Sequence, residues 1–291
     1  MKHKQIRQRV ALVTGPARNI GKHIALELHK RGAKLVLAGL EFDKLEAMAK
    51  DLPNTIAVEM NVCDSASIQH AFDKAIDVFG RVDIVVSNAG IMGSGALETA
   101  SESAFQRMLD INLVGAYRVA QIATPYLAQT RGYLLAVAST AAVGRSPLQS
   151  HYCASKAGLY AMLDCYRQEV KFRGIEVGIL CPNFVKGEGD DNRDTDELMQ
   201  LLWGNVNSGD GDAISASKVA QIAVDGINQR QREIVAPRKM AWLLKFPWIV
   251  QRLFERQFTD ENIEKAVAKS HDLKRQNKEL NTDISLDTER P

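Results

Sequence analysis

Two rhythms alternate along the chain. Short apolar runs, bounded by glycine or polar residues, fall at 10–13, 34–38, 55–59, 84–87, 133–138, 176–180 and 233–235. Runs of this length and setting predict buried strands. Between them, apolar positions recur at helical spacing over 20–31, 41–50, 65–79, 103–127, 150–172 and 218–230. Ser65 has the side chain to cap the third of these helices. Pro125 should bend or cut short the fourth, because proline lacks the amide hydrogen a helix interior uses. Parallel strands need a crossover, and helices supply it, so the alternation predicts an α/β, doubly wound parallel sheet with helices on both faces. Such sheets take ligands at the carboxyl ends of their strands, where the strand order reverses.

Two regions break the rhythm. Residues 187–212 are acidic, with Glu188, Asp190, Asp191, Asp194, Asp196 and Glu197, and enclose the apolar patch Leu198, Leu201, Leu202 and Trp203. A loop of this length at a strand end reads as a mobile flap whose apolar patch lines a substrate pocket. From Lys239 the chain turns aromatic and basic, through Trp242, Phe246, Trp248 and Phe254, with Lys245, Arg252 and Arg256 between them. Pro247 should kink or divide that stretch. It reads in two ways: a lid or subunit-contact helix packed on protein, or a helix lying on acidic lipid. The division that follows is a domain over 1–237, an amphipathic helical extension over 238–269 and a disordered tail over 270–291.

Composition adds mainly exclusions. The 291 residues are 45% hydrophobic and 25% charged, with a net charge of +2, ordinary values for a globular chain with one large core. That balance gives no footprint for nucleic acid. Cys63, Cys153, Cys165 and Cys181 form no CxxC pair and no zinc-type spacing with histidine, so no metal is expected. They read as free thiols of a reducing, cytoplasmic compartment, with Cys153 a packing residue. The basic N-terminus has no apolar stretch of signal-peptide type, and no run reaches membrane-spanning length.

The candidate chemistry begins after the first strand. Thr14-Gly15-Pro16-Ala17-Arg18-Asn19-Ile20-Gly21 links that strand to a helix. Glycine allows a tight turn and close backbone approach, and a helix N-terminus offers unpaired N–H groups to a phosphate. Asn19 tolerates left-handed backbone geometry. Further along, Tyr152 and Lys156 stand at i and i+4, on one helical face. An ammonium beside a phenol favours the phenolate, which helps a group whose free pKa is about 10 exchange a proton at neutral pH. Ser139 stands at the end of the preceding strand, placed to hydrogen-bond a substrate oxygen, and Thr140 is a second candidate. His151 points about 100° away from Tyr152 and is not taken as a base.

The succession of this turn, Asn88-Ala89-Gly90, Asn112, Ser139, Tyr152 and Lys156 resembles the short-chain dehydrogenase/reductase family from about residue 8 to residue 237. The resemblance implies a Rossmann-type fold and hydride transfer with a nicotinamide dinucleotide. It makes Tyr152 the acid/base, lets Lys156 also hold the nicotinamide ribose, and gives Asn112 a water that links Lys156 to solvent. Cofactor contacts would come from Thr14, Gly15, Arg18, Asn19, Ile20, Gly21, Asn61, Val62, Asn88, Ala89, Gly90, Tyr152, Lys156, Pro182 and Val185. Gly39 stands where NAD-preferring relatives carry aspartate, and Arg18 matches a position that contacts a 2′-phosphate, so NADP is expected before NAD. Leu40, where many NADP relatives have a second arginine, is a departure, as are Asn19, Asn183 and Gly187. The implied protein is a carbonyl reductase or alcohol dehydrogenase for a lipophilic substrate, built as a homodimer or homotetramer through the helices that carry Asn112 and Tyr152. The alternative is a non-catalytic NADP-sensing or scaffold protein on the same fold, with membrane contact through 239–258 compatible with either.

Overall fold

The computed structural model describes residues 6–186, 196–203 and 213–276. Seven strands form one parallel sheet: β1 (Val10–Thr14), β2 (Lys34–Gly39), β3 (Thr55–Glu59), β4 (Ile84–Ser87), β5 (Tyr133–Val137), β6 (Glu176–Pro182) and, last in the chain, β9 (Glu233–Ala236). Their order is β3-β2-β1-β4-β5-β6-β9. The order reverses between β1 and β4, which pair directly through Ala11–Ile84, Leu12–Val85 and Val13–Val86. The doubly wound sheet read from the alternation is therefore present, with its switch point beside the glycine turn.

Each strand feeds both layers because successive side chains point to opposite faces. Val10 and Leu12 pack with Phe72, Val119 and Leu159, under α3 (Ser65–Phe79), α5 (Gly115–Thr130) and α6 (Ser150–Val170). Ala11 and Val13 pack with Ile24, Leu45 and Val219, under α1 (Asn19–Lys30), α2 (Phe42–Asp51) and α8 (Ala216–Gln229).

Two local readings change. Asp64, not Ser65, caps α3: its carboxylate accepts from Ala66 N–H at 2.8 Å, and an aspartate one residue earlier does the work of the serine. The long fourth helix is not cut at Pro125, which sits inside α5. It is interrupted earlier, between α4 (Glu102–Leu109) and α5, by a π turn over Asp110–Val114. A π turn adds a residue to the backbone loop and re-aims the side chains after it, and such turns gather at functional sites.

Within the acidic region, residues 187–195 and 204–212 lie outside the described residues, and so does the question of a flap. Asp196 caps α7 (Glu197–Trp203), accepting from the Leu198 and Met199 amides. The patch does not line the cleft described below. Leu198, Leu202 and Trp203 bury themselves with Phe258 and Ala266 of the C-terminal extension, because rings on both sides supply a larger apolar surface than the loop could. A two-stranded parallel ribbon of β7 (Val185–Lys186) and β8 (Ile214–Ser215) closes the base of this excursion.

The extension has three parts: a 3₁₀ turn over Arg238–Leu244, α9 (Pro247–Glu255) and α10 (Asp260–Arg275). Pro247 does divide it, as the first residue of α9, a position where its missing N–H costs nothing. α10 continues through Ser270 to Arg275, past the expected start of the tail. Ser270 is buried, and its hydroxyl accepts from Ala96 N–H at 3.0 Å and meets the Thr99 hydroxyl at 2.6 Å. The remainder of the expected tail, 277–291, lies outside the described residues.

Candidate active site

The carboxyl ends of β1 and β4 are locked together by two side chains. Thr14 is fully buried, and its hydroxyl accepts from the Asn88 and Ala89 amides at 3.0 and 2.9 Å. Asn88 Nδ2 answers by donating to the Thr14 and Gly15 carbonyls at 3.0 and 2.9 Å. Gly15 (φ +62°) and Asn19 (φ +46°) both take left-handed geometry, so the turn tolerates asparagine at Asn19. Gly21 lets the first turn of α1 close on Asn88: a Cβ there would run into Asn88 Nδ2 and stand 2.6 Å from the Gly15 carbonyl oxygen.

A cleft of about 260 Å³ opens above these ends. It is lined by Gly15, Arg18, Asn19, Ile20, Gly21, Asn61, Val62, Asn88, Ala89, Gly90, Pro182 and Val185, and equally by Ser139, Tyr152 and Lys156. Nearly every residue expected at a dinucleotide thus meets the expected proton-transfer group in one space. Thr14 is the exception on the cofactor side. It lies behind the wall, and the lock it makes with β4 explains why a hydroxyl sits there. Asn61 lines the cleft while its carboxamide oxygen accepts from Cys63 N–H at 2.9 Å, so its NH2 is the end left for a base edge.

At the other end, α6 carries Tyr152 and Lys156, and Lys156 Nζ stands 5.8 Å from the Tyr152 ring centroid. Lys156 is 5% exposed and donates to the Val137 carbonyl at 3.0 Å. That bond orients the ammonium within the cleft. Tyr152 packs among Ile91, Met108 and Ile111. The Ser139 hydroxyl accepts from Ala141 N–H at 3.1 Å, which leaves its hydrogen for another acceptor. Thr140 is turned elsewhere, donating to Asn183 Oδ1 at 3.0 Å, and this separates the two candidate hydroxyls.

Asn112 does not line the cleft. Its Oδ1 accepts from Ile91 N–H at 2.8 Å, and its Nδ2 donates to the Ile91 carbonyl at 2.9 Å and to Ser155 Oγ at 3.0 Å. The carboxamide is thus a clamp between the π turn, the segment after β4 and α6. A Cβ on Gly90 would stand 3.0 Å from Asn112 Oδ1 and 3.5 Å from Lys156 Nζ, so Gly90 is needed where the clamp and the lysine converge.

Sequence reading missed Met60, Ile91, Met92, Ile111, Val137 and Ala138, which also line the cleft, as does Asn183, noted only as a departure from the family pattern. Those at strand ends were findable from the rule that ligands sit there, but nothing local separates them from core residues. His151 is fully buried beside Tyr152. Burial lowers its pKa against a smaller raising effect from a Gly93 backbone group. All four cysteines are free thiols. Burial raises the Cys153 thiol, and a protonated thiol is a poor nucleophile. Among the described residues, no group of histidine, cysteine and acidic side chains could hold a metal, and no helix is long and apolar enough to cross a membrane.

Comparison with known proteins agrees with this geometry. Residues 9–198, well over half of the chain, match the short chain dehydrogenase family. The 3-oxoacyl-acyl-carrier-protein reductase FabG of Thermotoga maritima is 31% identical over 183 residues, 61% of this chain and 74% of that protein. A short chain dehydrogenase/reductase from Burkholderia phymatum, solved in complex with NAD, superposes with a TM-score of 0.73 at 21% identity, over 84% of this chain and 94% of that one. An alcohol dehydrogenase from Thermococcus sibiricus, complexed with 5-hydroxy-NADP, gives a TM-score of 0.68 at 25% identity, over 79% of this chain and 96% of that one. With its sheet order, its glycine turn and its Tyr152/Lys156 helix in place, the chain belongs to the short-chain dehydrogenase/reductase family of oxidoreductases.

Proposed function

We propose that the protein is an NADP(H)-dependent oxidoreductase that interconverts a carbonyl and a primary or secondary alcohol, with Tyr152 as general acid and base. The observation that carries this reading is the meeting of Ser139, Tyr152 and Lys156 with the glycine turn in one cleft. The residues present fit a dinucleotide. The first turn of α1 holds no acidic residue and no side-chain cap, so neither a carboxylate nor a capping side chain of that turn competes with a pyrophosphate for the helix N-terminus. Gly39 leaves open the ground above Gly15, where a Cβ would stand 3.5 Å from the Gly15 Cα. Gly15, Arg18, Asn19, Ile20 and Gly21 would hold the phosphates, with Asn61 and Val62 at the adenine. Asn88, Ala89 and Gly90 would form the floor, Lys156 would take the nicotinamide ribose, and Pro182 and Val185 the carboxamide. The nicotinamide supplies or accepts the hydride when bound.

The chain's own work is the proton. In reduction, Ser139 Oγ–H and the Tyr152 phenol donate to the substrate oxygen, and the phenol proton passes to it. The phenolate left behind is stabilised by the Lys156 ammonium. Oxidation runs the same steps in reverse, with the phenolate as base. Ile91, Met92 and Ile111 on the cleft wall favour a lipophilic substrate. A homodimer or homotetramer through α5 and α6 is supported by a groove between those helices lined by Tyr117, Met162 and Tyr166, with Tyr117 47% exposed.

A panel of ketones, aldehydes and alcohols followed by NADPH absorbance tests the reading. Tyr152→Phe should lower kcat by at least about 10²-fold, the scale of a lost general acid, while nucleotide binding persists. A Tyr152→Phe protein with undiminished turnover would remove the mechanism.

A further inference from the structure

The extension buries one side of itself and leaves the other bare. Leu243 and Val250 pack with Val143, and Phe254 and Phe258 pack on Trp203 at centroid distances of 5.4 and 4.8 Å. On the outer side, Trp242 is 45% exposed, Phe246 48%, Trp248 66% and Leu253 46%. These four are among only ten large apolar side chains exposed in the described residues, and they fall within twelve residues. Isolated exposed apolar residues need no explanation, but a cluster marks a contact surface.

The charge around the cluster selects the partner. Between 238 and 258 the chain carries Arg238, Lys239, Lys245, Arg252 and Arg256, against the single acid Glu255. Arg238 is paired with Asp225 at 3.2 Å. Lys245, Arg252 and Arg256 are exposed and share no ion pair with a carboxylate among the described residues. Trp248 and Arg252 stand four apart on α9, hence on one helical face. Exposed tryptophan and phenylalanine flanked by unpaired cations fit the boundary of an anionic bilayer, with rings at headgroup depth and cations at the phosphates.

We propose that the outer face of 242–253 docks the protein on an anionic phospholipid surface without crossing it. The same element is tied to the active site. Gln251 accepts from Arg145 N–H at 2.8 Å and donates to the Arg145 carbonyl at 3.2 Å, and Gly144 lies against Val250 and Phe254. Gly144 and Arg145 belong to the segment that joins Ser139 to α6. Docking there sets the cleft beside the bilayer, from which a lipophilic substrate can enter. This last step rests on the proposed function, whereas docking does not.

Flotation of the full chain with vesicles tests it, using phosphatidylcholine alone and phosphatidylcholine mixed with phosphatidylserine. The protein should float with the mixed vesicles and fall away at high salt, where surface charge is screened. Lys245→Gln and Arg252→Gln should each weaken binding about fivefold. Trp248→Ser with Phe246→Ser should abolish it, while circular dichroism and NADPH oxidation of a water-soluble substrate stay unchanged. Brominated lipid should quench the wild-type tryptophan emission and not that of a Trp242→Phe, Trp248→Phe protein, which keeps the buried Trp203. Failure to float with the mixed vesicles, or equal flotation with phosphatidylcholine alone, overturns the proposal. So does a dimer that Trp248→Ser converts to monomer, because the face would then be covered by a second copy. An inactive protein that still floats would sink the proposed function and leave docking standing.

Discussion

Arg18 and Glu41 meet at the nucleotide end of the cleft, Arg18 Nη2 standing 2.6 Å and Nε 3.2 Å from the two carboxylate oxygens. Lys44 Nζ reaches the same carboxylate at 2.7 Å. The residue expected to greet a 2′-phosphate is thus already engaged by an acid. Burial raises the Glu41 carboxyl's pKa, but hydrogen bonds and charge from Arg18 and Lys44 outweigh it and hold it below the usual range. A carboxylate whose pKa falls on folding contributes stability above its unfolded value, near about 4.3, and loses it as pH drops through the folded value. The pair is therefore intact at neutral pH, where it would compete with a 2′-phosphate for Arg18.

Glu41→Gln should remove this carboxylate as a competitor for Arg18 and lower KM for NADPH about two- to fivefold, the scale of a partly exposed ion pair, with little effect on NADH. Arg18→Ala should raise KM for NADPH about tenfold or more, the scale of a lost charge-assisted hydrogen bond, again sparing NADH. Steady-state kinetics with both nucleotides separates the outcomes. A Glu41→Gln protein that loses NADH use instead would show Glu41 holding the ribose hydroxyls.

Gly21→Ala should weaken nucleotide binding more than it weakens folding. The added carbon meets Asn88 Nδ2 and the Gly15 carbonyl, so the turn must open where phosphate is expected. Titration calorimetry against thermal melting would show the split. Unchanged affinity would mean that the turn relaxes freely.

Asn112→Leu should cost about 1–3 kcal/mol, because it strands the Ile91 N–H in a buried site, as read by denaturant unfolding. Restoring only the acceptor, in Asn112→Asp, should recover part of that loss. Full stability in both variants would show that the clamp is dispensable.

His151 predicts a pH effect on stability. Its folded pKa lies below the ordinary value, so the unfolded chain takes the proton first. Stability is full above about pH 6.5 and declines as pH falls toward the folded value. His151→Gln should flatten the change in Tm between about pH 7 and pH 5. An identical pH slope in both proteins would assign the effect to other groups.

The strand and helix rhythm, the left-handed turn at Gly15 and Asn19, and the shared face of Tyr152 and Lys156 were legible in the sequence. Each depends on spacing within a few residues, where backbone geometry alone relates side chains. The structure decided what depends on distant partners. The Thr14 hydroxyl takes up the Asn88 and Ala89 amides, the Asn112 carboxamide binds Ile91 and Ser155, and Asp64 preempts Ser65 as a cap. Leu198 and Trp203 turn to the extension because Phe258 and Ala266 arrive there to cover them. The Arg18–Glu41 pair belongs to the same class: a turn and a strand end 23 residues apart become neighbours only when β1 and β2 lie side by side.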